Sequence, residues 1–94
     1  MKIHGIIWLE EIVEKLEQKH SVLQDEVVEV FDNGPLYRFV EKGHIPNENV
    51  YASLGITDAG RLLTVFFVYK TNRKALVISA RTMTDAERKR YEKK

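Results

Sequence analysis

From Leu9 onward the apolar residues fall at three- and four-residue spacing. Leu9, Ile12, Val13 and Leu16 are separated by Glu10, Glu11, Glu14 and Glu17, a pattern that predicts an amphipathic helix. A second helix is predicted at about residues 24–31, with Val27, Val30 and Phe31 as its buried stripe and Asp25 and Glu26 near its positive end. Ser21 and Gln24 form an S-x-x-Q pattern that would cap it, and Asn33-Gly34-Pro35 would stop it. The short apolar stretch before the first helix, Ile3 to Trp8, reads as a first strand or an extended lead-in.

After Pro35 the period changes to two. Residues 36–41, 50–55, 62–69 and 75–80 read as strands joined by polar, turn-forming segments such as Thr57-Asp58-Ala59-Gly60 and Thr71-Asn72-Arg73-Lys74. The run Leu62 to Tyr69 is nearly all apolar, which predicts a central strand covered on both faces. Short turns predict antiparallel pairing. The expected fold is α+β over a single domain, 1–94: two N-terminal helices, a four-stranded, mainly antiparallel sheet and a C-terminal helix.

That last helix differs from the others. Thr84-Asp85-Ala86-Glu87 matches a capping box, yet the segment that follows has almost no apolar face. Glu87, Arg88 and Tyr91 share one side of it, and Arg81 ends the preceding strand, where a rigid sheet can hold a guanidinium out toward a phosphate. A salt bridge to a helix-one glutamate for Arg81 and a capping duty for Glu87 are the competing structural readings.

Composition narrows the chemistry. With 44% apolar and 31% charged residues the chain fits an ordinary globular protein, and with no cysteine it can hold neither a disulfide nor a thiolate metal site. No run approaches the roughly 20 apolar residues of a membrane span, and no signal peptide is evident, so a cytoplasmic location is expected. His4 and His44 lack partners at metal-ligand spacing, so no metal site is expected; no cofactor is expected either. Lys19-His20 would end helix one, where imidazole is a proton carrier suited to cellular pH or simply a cation favoured by the helix dipole.

Charge is uneven along the chain. Residues 1–50 hold five Lys/Arg against ten Asp/Glu, and residues 51–94 hold ten against four. The halves either pair across the fold or leave a basic surface for an anionic partner. Arg61, Arg73, Lys74 and Arg81 would make one sheet edge basic, suited to gripping a sugar-phosphate backbone.

Several segments in order resemble the BrnT family, the toxin half of type II toxin–antitoxin pairs, with a compact RelE-like ribonuclease fold. They are Trp8 before a helix, Lys19-His20-Ser21-Val22, Val30-Phe31, Tyr51-Ala52-Ser53-Leu54-Gly55, Gly60-Arg61-Leu62-Leu63-Thr64-Val65, Ile78-Ser79-Ala80-Arg81, and Glu87-Arg88 with Tyr91. The resemblance implies an RNA-cleaving toxin restrained by a BrnA-like antitoxin, as a homo-oligomer or a toxin–antitoxin heterotetramer. It implies His20, Arg81, Glu87 and Arg88 as catalytic residues and Lys19, Arg61 and Tyr91 as RNA-phosphate contacts. Cleavage would proceed without metal: His20 or Glu87 takes the ribose 2′-OH proton, and the arginines meet the charge growing on the phosphate.

The chain also departs from the family pattern. Leu9, Ile12 and Leu16 stand where an acid, a lysine and an asparagine are usual, and Ser21 stands for a glycine. If helix one forms the wall opposite Arg81, these losses favour a rival reading: a non-catalytic module that binds an antitoxin-like partner or nucleic acid.

Overall fold

The computed structural model describes residues 1–93. In chain order the elements are β1 (Ile6–Ile7), α1 (Glu10–His20), α2 (Gln24–Asp32), β2 (Leu36–Glu41), β3 (Val50–Ile56), β4 (Leu62–Tyr69), β5 (Ala75–Thr82) and α3 (Asp85–Glu92). The α+β reading and both N-terminal helices hold, but the sheet has five strands in the order β1-β5-β4-β3-β2. The expected four-stranded sheet is therefore corrected by β1, a two-residue edge strand that pairs parallel to β5 through Ile6↔Ala75 and Ile7↔Leu76. The remaining pairs are antiparallel, and the apolar β4 does lie at the centre.

Alternation along β4 sorts the molecule into layers. Leu63 and Val65 join Leu16, Val22, Val27, Val30, Val77 and Ala80 in a buried cluster on the α1 and α2 side. Leu62 and Phe66 point to the other face, with Ala52, Leu54, Met83 and Tyr91 beside α3. Gly55 lets α2 lie close on the sheet, since a Cβ there would stand 2.9 Å from Val30 Cγ1. Helix one is thus not the wall opposite Arg81; it covers the reverse face of the sheet.

Caps correct a second expectation. Ser21 does not start α2. It closes α1 in the left-handed region, at φ 53° and ψ 38°, while Val22 N–H donates to the Leu16 carbonyl at 3.1 Å. Leucine 23 is the N-cap of α2, and having no side-chain acceptor it relies on Glu26 Oε1, which accepts its N–H at 3.0 Å. Leu9 caps α1 equally poorly, in extended conformation with no side-chain hydrogen bond.

Two of the family departures therefore sit at helix ends. Leu9→Asp would supply an acceptor to the first turn of α1, worth about 1 kcal/mol. Ser21→Gly would relieve a left-handed residue, worth roughly 0.5–1 kcal/mol after the added flexibility of the unfolded chain. Each is expected to raise the thermal midpoint by several degrees. A midpoint that fell in both variants would refute this account of the caps.

Candidate functional site

Arg81 is where the two sides of the C-terminal segment meet. Strand β5 pairs Arg81 with Thr64 of β4, and both side chains rise from the α3 face. The chain then turns through Met83, whose N–H donates to the Leu62 carbonyl, and enters α3 at Thr84. The predicted capping box is present: Thr84 Oγ1 accepts from Glu87 N–H at 3.2 Å, and Glu87 Oε1 accepts from Thr84 N–H at 2.9 Å. This brings the Glu87 carboxylate back over the sheet.

There it is gripped further. Arg81 donates through Nη1 to Oε1 at 2.6 Å and through Nη2 to Oε2 at 3.0 Å, a forked, charge-assisted pair. Thr64 Oγ1 donates to Oε1 at 2.9 Å. The Arg81 guanidinium also lies 5.2 Å above the Phe66 ring, a cation–π distance. Arg38 of β2 reaches in from the other side, its Nη2 4.0 Å from Glu87 Oε2.

Burial alone would push the Glu87 carboxyl up. The hydrogen bonds from Arg81, the Thr84 N–H and Thr64, with the Arg81 charge, outweigh it and bring the pKa down to about 2. Reciprocally, the Glu87 hydrogen bonds hold the Arg81 guanidinium above its ordinary value despite partial burial. The side chain of Glu87 is 11% exposed and that of Arg81 is 34% exposed, so the carboxylate is enclosed while the arginine keeps about a third of its side chain in contact with solvent. The two structural readings of the sequence are half right: Glu87 does cap α3, and Arg81 does form a salt bridge, but with Glu87 rather than with helix one.

A second group forms with the helix layer. Arg61 Nη1 donates to the Ser21 carbonyl at 2.6 Å and Nη2 to the His20 carbonyl at 3.0 Å, so this arginine satisfies the end of α1. It also pairs with Glu26 at 3.2 Å, tying α1 to the start of α2. Lys19 and His20 are exposed at that helix end. Arg88 is exposed and pairs with Glu92 at 3.5 Å, and Tyr91 turns inward against the small cluster under α3. The site residues implied by the resemblance thus fall into two groups: Lys19, His20 and Arg61 on one side, Arg81, Glu87 and Tyr91 on the other, with Arg88 on the outer surface of α3.

Arg38 and Thr64 are additions that the sequence reading does not single out. Arg38 carries a faint signal as a cation in a strand interior, on the same face as Leu36. Its approach to Glu87 follows only from pairing, because Arg38 faces Ala52 on β3 and Ala52 faces Phe66 on β4. An open groove of about 430 Å³ continues this sheet face, with Val50, Val68, Leu76 and Ile78 along it. Among the described residues no three His, Cys, Asp or Glu side chains gather as a metal site, and no helix is long and apolar enough to cross a membrane.

The model of a protein family described as the ribonuclease toxin BrnT of type II toxin–antitoxin systems matches residues 8–87. No curated protein matches the chain. The family match contains Lys19, His20, Arg61, Arg81 and Glu87, and ends before Arg88 and Tyr91.

Glu87 gives a direction to the stability profile. Its folded pKa, about 2, lies below the ordinary 4.5, so its contribution is complete above 4.5 and is lost as pH falls toward 2. The loss is expected to be up to roughly 3 kcal/mol, reduced by solvent screening at the partly exposed Arg81. Denaturant melts of wild type and Glu87→Gln should converge across that window. A stability gap that stayed constant from pH 5 to pH 2 would show that the carboxylate is not held this way.

Proposed function

The chain belongs to the BrnT family of type II toxin–antitoxin ribonuclease toxins, and on that premise we propose that it cleaves RNA without metal, by attack of a ribose 2′-OH on the adjacent phosphate. Membership implies an RNA substrate and an antitoxin; a BrnA-like antitoxin is the partner this reading expects. The observation that carries the proposal is Arg81: a strand-end guanidinium locked by Glu87 and Phe66, on a side chain that is still 34% exposed. Such a group is already oriented before substrate arrives, which is what stabilising charge on a phosphoryl oxygen requires.

Glu87 takes the role of a positioning residue. A carboxylate with a pKa of about 2 that accepts from Arg81, Thr64 and Thr84 is a poor proton acceptor at neutral pH. Of the two proton carriers offered by the sequence, His20 is then a contact to the strand rather than the base, because it is out of hydrogen-bond reach of a 2′-OH whose phosphate sits at Arg81. It stands in the other group, and the two groups share one end of the sheet. Arg61 precedes Thr64 by three residues and Thr64 pairs with Arg81, a separation of about 10 Å along the strand. Single-stranded RNA wrapping that end meets Arg81 on one side and Lys19, His20 and Arg61 on the other, with Arg88 of α3 flanking it and Tyr91 bracing α3 from beneath.

The departures in helix one bear less on chemistry than they first suggest. Leu16 is buried in the core at 3% exposure, Ile12 packs against the same cluster, and Leu9 is the N-cap. All three belong to the helix layer, behind the sheet from Arg81. This weakens the non-catalytic reading, whose motive was the loss of polar groups there.

Digestion of single-stranded RNA by the purified protein in excess chelator is the direct test. Cleavage is expected, DNA should stay intact because it lacks the 2′-OH, and Arg81→Ala should lower the rate by roughly 10²–10³. Intact RNA at high wild-type concentration would leave only the binding-module reading, and cleavage abolished by chelator would sink the metal-free step. His20→Gln should weaken RNA binding while the cleavage rate of bound RNA stays near that of wild type; a lost rate with binding intact would refute this placement of His20.

A further inference from the structure

We infer that Arg38 and Arg81 form a two-guanidinium clamp for one phosphate of a single-stranded RNA, with Glu87 between them as the charge that keeps the pair together in the unliganded protein. The inference rests on the RNA reading and adds to it a residue that neither the family resemblance nor the sequence pattern supplies. Arg81 Nη2 is 3.0 Å and Arg38 Nη2 is 4.0 Å from the same oxygen, Glu87 Oε2, so the two nitrogens lie within 7.0 Å of each other. One tetrahedral phosphate can accept from both at charge-assisted lengths of about 2.7–2.9 Å.

The two arginines are differently placed. Arg81 spends its fork on Glu87 and a further donor on the Thr82 carbonyl. Among the described residues Arg38 donates no hydrogen bond from its guanidinium, and 4.0 Å to Glu87 is too long for one. Its side chain is 34% exposed, the same as Arg81. A long, partly exposed ion pair is weak, so the Glu87 contact leaves most of the Arg38 charge uncommitted. Two guanidiniums against one carboxylate also leave one positive charge over, on a face where the small Ala52 stands between Arg38 and Phe66. One phosphate balances it.

The probe is a short, fluorescently labelled 2′-O-methyl uridine oligomer, whose blocked 2′ position allows binding without cleavage. Anisotropy titrations across a salt series would compare wild type with Arg38→Gln, Arg38→Lys and Arg81→Gln, with thermal melts alongside. Arg38→Gln is expected to bind about tenfold more weakly and to flatten the slope of log K against log salt by about 0.7, the value for one phosphate contact on a single strand. Arg38→Lys, which keeps the charge, should retain the slope and recover part of the affinity. If Arg38 merely braced Glu87, Arg38→Gln would melt lower yet keep the wild-type slope, and the clamp would be overturned. The clamp also falls, with the RNA reading at Arg81 intact, if Arg81→Gln loses binding while Arg38→Gln matches wild type. Should both variants bind like wild type, or wild type not bind at all, the RNA reading itself fails and the clamp with it.

Discussion

One carboxylate joins three parts of this molecule. Glu87 accepts from Arg81 at the end of β5, from Thr64 in the centre of β4, and from the Thr84 N–H at the start of α3. Helix α3 has no buried residue, so little apolar area fixes it to the sheet. Met83 and Tyr91 contribute a small cluster with Ala52 and Leu54, and the polar node sets where the helix begins. Removing Arg81 leaves the enclosed Glu87 carboxylate without its charge partner, which is costlier than removing an exposed ion pair.

The same node explains why structural and functional readings of Glu87 do not compete. A carboxylate held well below its usual range remains charged across physiological pH, and a fixed negative charge fixes a guanidinium. The fork uses one side of Arg81, and Phe66 supports it from below. What is left is an oriented, partly exposed cation. Arg61, by contrast, spends its donors on the carbonyls of His20 and Ser21 and on Glu26, holding the α1–α2 corner while standing close to the lysine and histidine of that corner.

The charge imbalance along the chain resolves in both of the ways it allowed. Arg61–Glu26, Lys70–Glu48 and Arg38–Glu87 pair the two halves across the fold. The glutamates on the outer side of α1 and the cations of α3 nonetheless end on opposite faces of the sheet, because their helices pack against opposite sides of β4. The helix-one departures fall on the acidic side, and their consequences are for caps and core.

The helices, the four longer strands and the Thr84–Glu87 box were legible in the sequence because each is decided within a few residues: apolar spacing sets a helix or strand face, and an N-cap reaches only three positions ahead. The fifth strand was only half legible: Ile3 to Trp8 read as a strand or an extended lead-in, and Ile6–Ile7 becomes a strand only where Ala75 and Leu76 offer an edge. Nor could Ser21 be placed by pattern, because S-x-x-Q is satisfied on paper while the left-handed turn between α1 and α2 is imposed by packing Val22 into the core. The sequence by itself determined which residues carry charge and which elements bear them. Only the tertiary structure decided which charges meet. Register sets which side chains stand abreast and strand parity sets which face they share, so Arg38 came to Glu87 through three paired strands while His20 went to the other layer.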